Sequence, residues 1–388
     1  MDWQRNAWKL YKREHRPDFE IDWLILPFRQ MHDQLLVTAQ AGSGGPDIAD
    51  VEVTQFPRFI KGEVLFHDLE PRLRRIGEWD NLYRSSATDP WTYENKVYGV
   101  GNELNACLLA YRWDVWEKAD VHPDDIETWD DFAKVAARFH ETTGNYLIDQ
   151  RYDSWEDWWL RALQRGGGFF DEEGNPTIDN EISLEVFTWM QRSVADGWAT
   201  LRPVGEAYNI ALANGRIASQ IGPAWQFSGF TQQNIPQTKG KWHVRPFPVW
   251  EPGGSRTATL GGTGVSISRL SDFPSEAMDF VLWAHTTAKA VLWDFDSRAV
   301  WQTYRPTFDD PSLTAPIEFF DGQRVGAVIE EVSAEINPVY TSPFWTEVTD
   351  AFVRLVLTPG LQNPSLDPQR LLREAQREAE RLIDFGSA

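Results

Sequence analysis

The chain has little cysteine, no long apolar run and few positive charges. Cys107 is the only cysteine in 388 residues, which excludes a disulfide framework and a thiol metal site. Its place in the apolar run Ala106–Ala110 predicts a buried, inert thiol. No run of eighteen apolar residues occurs, so no membrane-spanning helix is expected. The formal net charge of -21 argues against nucleic acid as the main partner, because a phosphate-binding surface needs clustered lysine and arginine.

Common catalytic, metal and phosphate motifs are also missing. The seven histidines lack a His-Glu-x-x-His or comparable spacing, so no metal site is expected. No Gly-x-Ser-x-Gly elbow occurs, and no Gly-x-Gly-x-x-Gly run follows a strand. The glycines of Thr259–Ile267 are not followed by Gly-Lys-Ser/Thr, which favours a hinge strand over a phosphate loop. We therefore expect no cofactor.

Length and periodicity predict two compact α/β units. A chain of 388 residues exceeds the size at which one hydrophobic core stops growing. Helices alternate with short strands, among them Arg16–Trp23 and Pro46–Val53, and this alternation favours mostly parallel sheets. Thr128 followed by Asp131 predicts an N-terminal capping box for the helix that begins there.

One segment presents an aromatic side chain where a strand ends. Gly215 is a suitable left-handed terminus for the helix from Tyr208 to Ala213, and Ile217–Ile221 alternates as a half-buried strand does. Gly222-Pro223 ends that strand, so Trp225 is expected on a connection. The segment Gly215–Trp225 resembles the Gly-x-x-Ala…Gly-Pro…Trp run of bacterial extracellular solute-binding proteins of the carbohydrate ABC transporter type. In that family the tryptophan packs on a sugar ring.

Further segments resemble the same family in the same order along the chain. They comprise Pro46–Val53, Val97–Trp116, Thr128–Phe132, Gly166–Asp171, Thr259–Ile267, Ser275–Trp283 and the Phe344-Trp345 pair. Gly101 stands where the family frequently has proline, so the local turn is expected to differ. The order of the segments makes the resemblance stronger than any one of them.

The resemblance implies a two-lobed periplasmic-binding-protein (type II) fold. Each lobe would be a mostly parallel sheet flanked by helices, and several crossing segments would join the lobes. The expected N-terminal lobe is residues 1–104 plus 262–305, and the expected C-terminal lobe is residues 105–261 plus 306–388. The implied function is capture of a sugar or oligosaccharide in an interlobe cleft by hinge closure, followed by delivery to ABC transporter permease subunits. The resemblance also implies a monomer in which no residue makes or breaks a bond.

Ligand contacts are expected from aromatic and polar side chains at matching positions. Sugars present apolar C–H faces and rings of hydroxyl groups, so their sites need flat aromatics and planar polar groups. Trp225 and Trp345 match cleft positions, and Trp155 and Trp159 lie where the family often adds an aromatic. The polar candidates follow a strand or lie at the lobe crossings: Glu52, Gln55, Glu103, Asn105, Gly262 and Thr263.

No export signal is visible at the start of the sequence. Met1–Asn6 has no basic segment followed by an apolar core, no cleavage site and no lipid-attachment cysteine. Family members usually begin with a signal and a short strand, whereas this sequence opens in a predicted helix, Trp3–Arg13. We expect an extracytoplasmic protein whose signal is absent from this sequence; a protein that is not exported is the alternative.

Two other functions stay open at the level of sequence. Tryptophan-rich clefts with paired acids also occur in glycan-cleaving hydrolases, although pairs are expected by chance among 58 acidic residues. A binding protein for another solute, such as a polyol or a glycerol phosphoester, is the second alternative.

Overall fold

The computed structural model describes residues 2–298 and 300–387. Its helices are α1 (Asp2–His15), α2 (Phe28–Ala41), α3 (Glu70–Arg75), α4 (Arg84–Ala87), α5 (Trp113–Lys118), α6 (Trp129–Thr143), α7 (Glu156–Gln164), α8 (Glu181–Ala195), α9 (Glu206–Ala213), α10 (Gln232–Asn234), α11 (Pro274–Thr286), α12 (Ala288–Arg298), α13 (Val325–Ser333), α14 (Trp345–Phe352), α15 (Thr358–Gln362) and α16 (Pro368–Ser387). Its strands are β1 (Ile48–Glu52), β2 (Thr92–Tyr93), β3 (Lys96–Val97), β4 (Val100–Gly101), β5 (Cys107–Arg112), β6 (Asp149–Gln150), β7 (Thr200–Leu201), β8 (Ser219–Pro223), β9 (Trp242–Arg245) and β10 (Thr263–Ile267).

The chain forms two compact units and passes between them three times. Unit 1 contains Met1–Leu104 and Gly261–Leu313, and unit 2 contains Asn105–Leu260 and Thr314–Ala388. The sequence placed the passages at residues 104/105, 261/262 and 305/306, and those lobe boundaries stay a prediction.

Unit 1 is built on a three-stranded sheet in the order β1-β10-β4. The indole of Trp91 is fully buried and donates a hydrogen bond of 3.0 Å to the Val51 carbonyl. The same ring lies against Gly264 on the central strand, where a Cβ atom would overlap it. Gly264 therefore has to be glycine because the tryptophan occupies the space of any side chain. Helices α1, α11 and α12 pack together beside this sheet.

Unit 2 is built on a second three-stranded sheet, in the order β8-β5-β9. Every residue of β5 is buried, and Cys107 is the free, fully buried thiol that the sequence predicted. The Thr128–Asp131 capping box is present: the Thr128 hydroxyl accepts from the Asp131 backbone N–H at 3.1 Å, and the Asp131 carboxylate accepts from the Thr128 N–H at 3.1 Å. Helices α8, α14 and α16 pack together in the same unit.

The α/β class is as predicted, but the expected strand direction is wrong. Strands β1 and β4 both pair antiparallel with β10, and β8 and β9 both pair antiparallel with β5. Among the described strands only the short pair β6/β7 is parallel. The error has a physical cause: β5 and β10 each come within a few residues after a passage between units. β10 therefore does not follow a helical crossover from β1 or β4, which is what parallel pairing requires. The pair β5/β8 is antiparallel although helices α5–α9 lie between the two strands.

Two local predictions also need correction. Arg16–Trp23 forms no strand and lies outside any sheet. Trp225 does not lie on a connection, because a helical segment starts at Ala224 and continues through a π-helical turn, Gln226–Thr231. Gly215 has the left-handed conformation expected of it, with φ of 71°. In the part of the chain that the structure describes, none of the helices combines the length and the apolar character needed to cross a membrane.

Candidate functional site

Four of the predicted polar residues of unit 1 lie together at one end of its sheet. Glu52 on β1 is the register partner of Thr263 on β10. The carbonyl of Gly262 accepts a hydrogen bond of 3.0 Å from Val53, and the carbonyl of Thr263 accepts one of 3.2 Å from Asn102. Glu103 follows Asn102 directly, so sheet register brings Glu52, Gly262, Thr263 and Glu103 to the same end.

Local hydrogen bonds hold Glu52 in place. Its carboxylate accepts from the Thr54 backbone N–H at 2.8 Å and from the Thr54 hydroxyl. Its backbone N–H donates to Nε2 of His32 at 3.2 Å, while Nδ1 of His32 lies 2.9 Å from the Phe28 carbonyl. Because burial lowers the pKa of His32, the ring is neutral, with the proton on Nδ1.

Gln55, the fifth polar candidate of unit 1, is partly engaged by its neighbours. Its backbone N–H donates to the Glu52 carbonyl at 2.9 Å, and its side-chain oxygen accepts from Arg58 at 3.0 Å. Arg58 also pairs with Asp33 at 2.7 Å. Gln55 thus retains its amide N–H groups as donors for a ligand, apart from a long contact of 3.5 Å with Thr54.

Glu52 and Glu103 belong to a larger acidic cluster with Asp50, Asp294 and Arg298. Arg298 donates to both carboxylate oxygens of Asp294 at 2.5 Å and lies 3.4 Å from the Glu103 carboxylate. Burial raises the pKa of Glu103, Asp294, Asp50 and Glu52, and the neighbouring Glu103 charge adds to the effect on Glu52. The cluster brings four carboxyl groups and one guanidinium together, so it is rich in hydrogen-bond acceptors.

Sequence reasoning missed three members of this cluster. Asp50 lies two residues before Glu52 on the same face of β1, and the period of a strand could have indicated it. Asp294 and Arg298 are four residues apart on α12, a spacing typical of helical ion pairs. Nothing in the sequence indicated that α12 packs beside the end of β1. No group of three or more histidine, cysteine or acidic side chains in the described part of the chain could hold a metal ion.

In unit 2, Trp225 lies beside an exposed aromatic side chain. Its ring packs edge-on against Phe230, with centroids 5.8 Å apart, and Phe230 is 57% exposed. Trp225 itself is half-buried. Its indole N–H is buried and has no partner among the described residues. The pair forms an aromatic surface at the end of β8.

The other three predicted tryptophans form one aromatic cluster in unit 2. Trp345 contacts Trp155 and Trp159 edge-on, at centroid distances of 5.6 and 5.1 Å, and also contacts Phe169 and Phe170. Trp345 is only 5% exposed and Trp159 only 4%, whereas Trp155 is half-buried. The indole N–H of Trp159 is already bound to the Thr259 carbonyl at 3.1 Å. Trp155 therefore offers the most accessible ring of the three.

Asn105 is the first residue of unit 2 and is almost completely buried. Its carbonyl accepts a weak hydrogen bond from the Cys107 thiol at 3.5 Å. The predicted ligand contacts thus fall into a polar set in unit 1 and an aromatic set in unit 2, with Asn105 beside the first passage. Their contact with a ligand stays a prediction for every residue.

Two α/β units joined by three chain passages agree with the solute-binding fold that the sequence resembles. The family profile described as "Bacterial extracellular solute-binding protein" matches residues 2–290. The chain belongs to this family. It is accordingly a solute-binding protein and not an enzyme. This confirms the solute-binding function that the sequence predicted and leaves the alternative of a glycan-cleaving hydrolase without support.

Two curated relatives match along most of the chain. The arabinooligosaccharide-binding protein of Halalkalibacterium halodurans is 30% identical over 91% of this chain and 80% of its own length. The protein of the same name from Bacillus subtilis is 28% identical over 92% of this chain and 84% of its own length. Members of this family are extracytoplasmic proteins.

A solved structure supports the fold independently of sequence. The sugar-binding protein MalE from Xanthomonas citri aligns with a TM-score of 0.82 at 16% identity, over 100% of this chain and 98% of that one. This likeness confirms the two-lobed α/β fold that the sequence predicted.

Proposed function

We propose that the protein is the extracytoplasmic receptor of an ABC importer and binds a neutral arabino-oligosaccharide, which it delivers to membrane permease subunits as a monomer. The observation that carries the proposal is the 30% identity over 91% of the chain with an arabinooligosaccharide-binding protein. The accessible tryptophans and the acceptor-rich strand end support it, since they supply the two kinds of contact that a sugar requires.

The two sets of residues have different parts in binding. The C–H face of a sugar ring packs on Trp225, and Trp155 supplies a second apolar surface. The carboxylates of Glu52 and Glu103 accept hydrogen bonds from sugar hydroxyls; a hydrogen bond to a charged group contributes about 1.5–3 kcal/mol. Gln55 and Thr263 add neutral donors and acceptors.

Delivery requires the bound and free proteins to differ in conformation. We propose that ligand shifts the protein from an open to a closed state by hinge bending, and that the permease recognises the closed state. The ligand needs only a higher affinity for the closed state, so no residue has to act chemically.

A thermal-shift screen tests the ligand class. The purified protein is heated with linear arabino-oligosaccharides, malto-oligosaccharides, lactose, a polyol and glycerol phosphoesters. A ligand present at 100 times its dissociation constant adds about 2.7 kcal/mol to the free energy of unfolding, so arabino-oligosaccharides should raise the melting temperature clearly. A shift with the polyol or the phosphoester alone would refute a sugar ligand, and a shift with another sugar alone would refute arabinose.

A further inference from the structure

An open groove on unit 2 lies beside the aromatic cluster and has a volume of about 500 Å³. Its lining residues come from the segment before α7, from α14, from the turn that follows and from the start of α15: Asp153, Ser154, Trp155, Asp350, Val353, Arg354 and Thr358. The volume lies within the range of roughly 300–1,000 Å³ that is typical of ligand pockets. Of the lining residues, only Trp155 was predicted from the sequence as a ligand contact.

Trp155 connects the groove to the predicted ligand contacts. Its half-buried ring lines the groove and also packs edge-on against Trp345 at 5.6 Å and Trp159 at 6.0 Å. An apolar wall therefore continues from the aromatic cluster into the groove. Between α14 and α15 the helix widens into a π-helical turn, Val353–Leu357. Such turns occur frequently at functional sites.

The polar lining can bind neutral hydroxyl groups. Arg354 makes one long ion pair of 3.4 Å with Glu378, and Arg381 already binds that carboxylate at 2.8 and 2.9 Å. Most of the five guanidinium N–H donors of Arg354 thus remain for a ligand. Asp350 lies one helical turn before Arg354 and is exposed, so its carboxylate supplies acceptors on the same side of the helix.

We propose that this groove is an additional subsite that binds the distal units of a longer oligosaccharide, whose proximal units occupy the sites proposed above. The inference rests on the proposed function, because it takes the ligand to be a neutral arabino-oligosaccharide. Trp155 lies between the two sites: a distal unit contacts the part of its ring that lines the groove, and the hydroxyls of that unit pair with Arg354 and Asp350. The groove thereby selects for chain length.

The test compares affinity across chain length in matched variants. Titration calorimetry measures the wild type, Arg354→Ala and Asp350→Asn with an arabinose disaccharide, a trisaccharide and longer linear oligomers. Arg370→Ala is the control, since Arg370 is also exposed and makes an i,i+4 ion pair, with Glu374 on α16. We expect the Arg354 and Asp350 variants to bind longer oligomers about tenfold more weakly, with unchanged affinity for the disaccharide, and the control to match the wild type.

Two other outcomes separate the failure of this inference from that of the proposed function. In the first, the wild type binds arabino-oligosaccharides, but the Arg354 and Asp350 variants either match it at every chain length or lose affinity equally at all lengths. The groove is then not a distal subsite. If the wild type binds no arabino-oligosaccharide of any length, the proposed function is wrong and the subsite is refuted with it.

Discussion

Trp225 is the residue whose role is most open to test by substitution. It lies at the end of β8, is half-buried and packs edge-on against the exposed Phe230. We expect Trp225→Ala to weaken sugar binding by about tenfold or more, because the stacking surface is lost. Trp225→Phe should retain part of the affinity. Calorimetry measures the effect, and an unchanged melting temperature without ligand shows that the fold is intact; equal affinity in Trp225→Ala and the wild type would remove Trp225 from the site.

Glu52 is a proposed sugar contact, and its buried carboxyl is expected to lower the stability of the protein at neutral pH. Burial and the nearby Glu103 charge raise the pKa of its carboxyl. The folded protein then binds the proton more tightly than the unfolded chain does. The free energy of unfolding therefore falls as pH rises from the unfolded pKa of Glu52 through its folded pKa. We expect Glu52→Gln to raise the melting temperature at neutral pH by about 1–4 °C and to weaken sugar binding. This gain in melting temperature should disappear at pH values below the ordinary pKa of a carboxyl group. A Glu52→Gln variant less stable than the wild type at neutral pH would contradict this account.

At the scale of single elements, the N-terminal capping box of α6 is expected to make the stability of the protein depend on pH in acid. Hydrogen bonds from the Thr128 hydroxyl and from Lys134 hold the pKa of Asp131 at about 2. A folded pKa below the unfolded value contributes stability that is complete above about pH 4 and is lost as pH falls towards 2. We expect Thr128→Ala to cost about 1 kcal/mol at neutral pH, measured by urea denaturation, and the difference from the wild type to shrink in acid. An equal difference at all pH values would show that the capping box contributes no pH-dependent stability.

The central strand of unit 1 depends on a glycine that the sequence could not explain. The Trp91 indole occupies the space where Gly264 would carry a side chain. We expect Gly264→Ala to destabilise the protein by about 1–3 kcal/mol. Gly229→Ala is the matched control, because nothing lies within 4 Å of a Cβ atom at that position. Similar melting temperatures for the two variants would contradict the packing argument.

Local chemistry was predictable from the sequence, and distant packing was not. The Thr128–Asp131 cap and the left-handed Gly215 depend on neighbouring residues only, so propensity and spacing identified them. Part of the acidic cluster was predicted, because motifs identified Glu52 and Glu103. Asp294 and Arg298 were missed because they belong to the cluster only through the packing of α12. The direction of strand pairing failed for the same reason, because β10 reaches β1 only after 210 intervening residues, from Val53 to Gly262. Trp345 matched a family position, yet its burial by Trp155 and Trp159 follows from packing within unit 2.

At the scale of the whole molecule, the charge agrees with a neutral ligand. A net charge of -21 and a buried acidic cluster in unit 1 both disfavour an anionic solute. We expect a linear oligosaccharide that carries uronic acids to bind at least tenfold more weakly than a neutral one of equal length, because its carboxylates would meet Glu52, Glu103 and Asp50. Competition calorimetry measures the ratio. Tighter binding of the acidic sugar would contradict the assignment of this cluster to hydroxyl recognition.

Calorimetric titration of the protein with a linear arabino-oligosaccharide tests the central claim most directly, with reducing ends assayed in the same sample. The account predicts saturable binding of one sugar per chain, a dissociation constant in the micromolar range, equivalent to about 8 kcal/mol, and no increase in reducing ends. Absence of binding to any arabino-oligosaccharide, or reducing ends that accumulate with time, would contradict it.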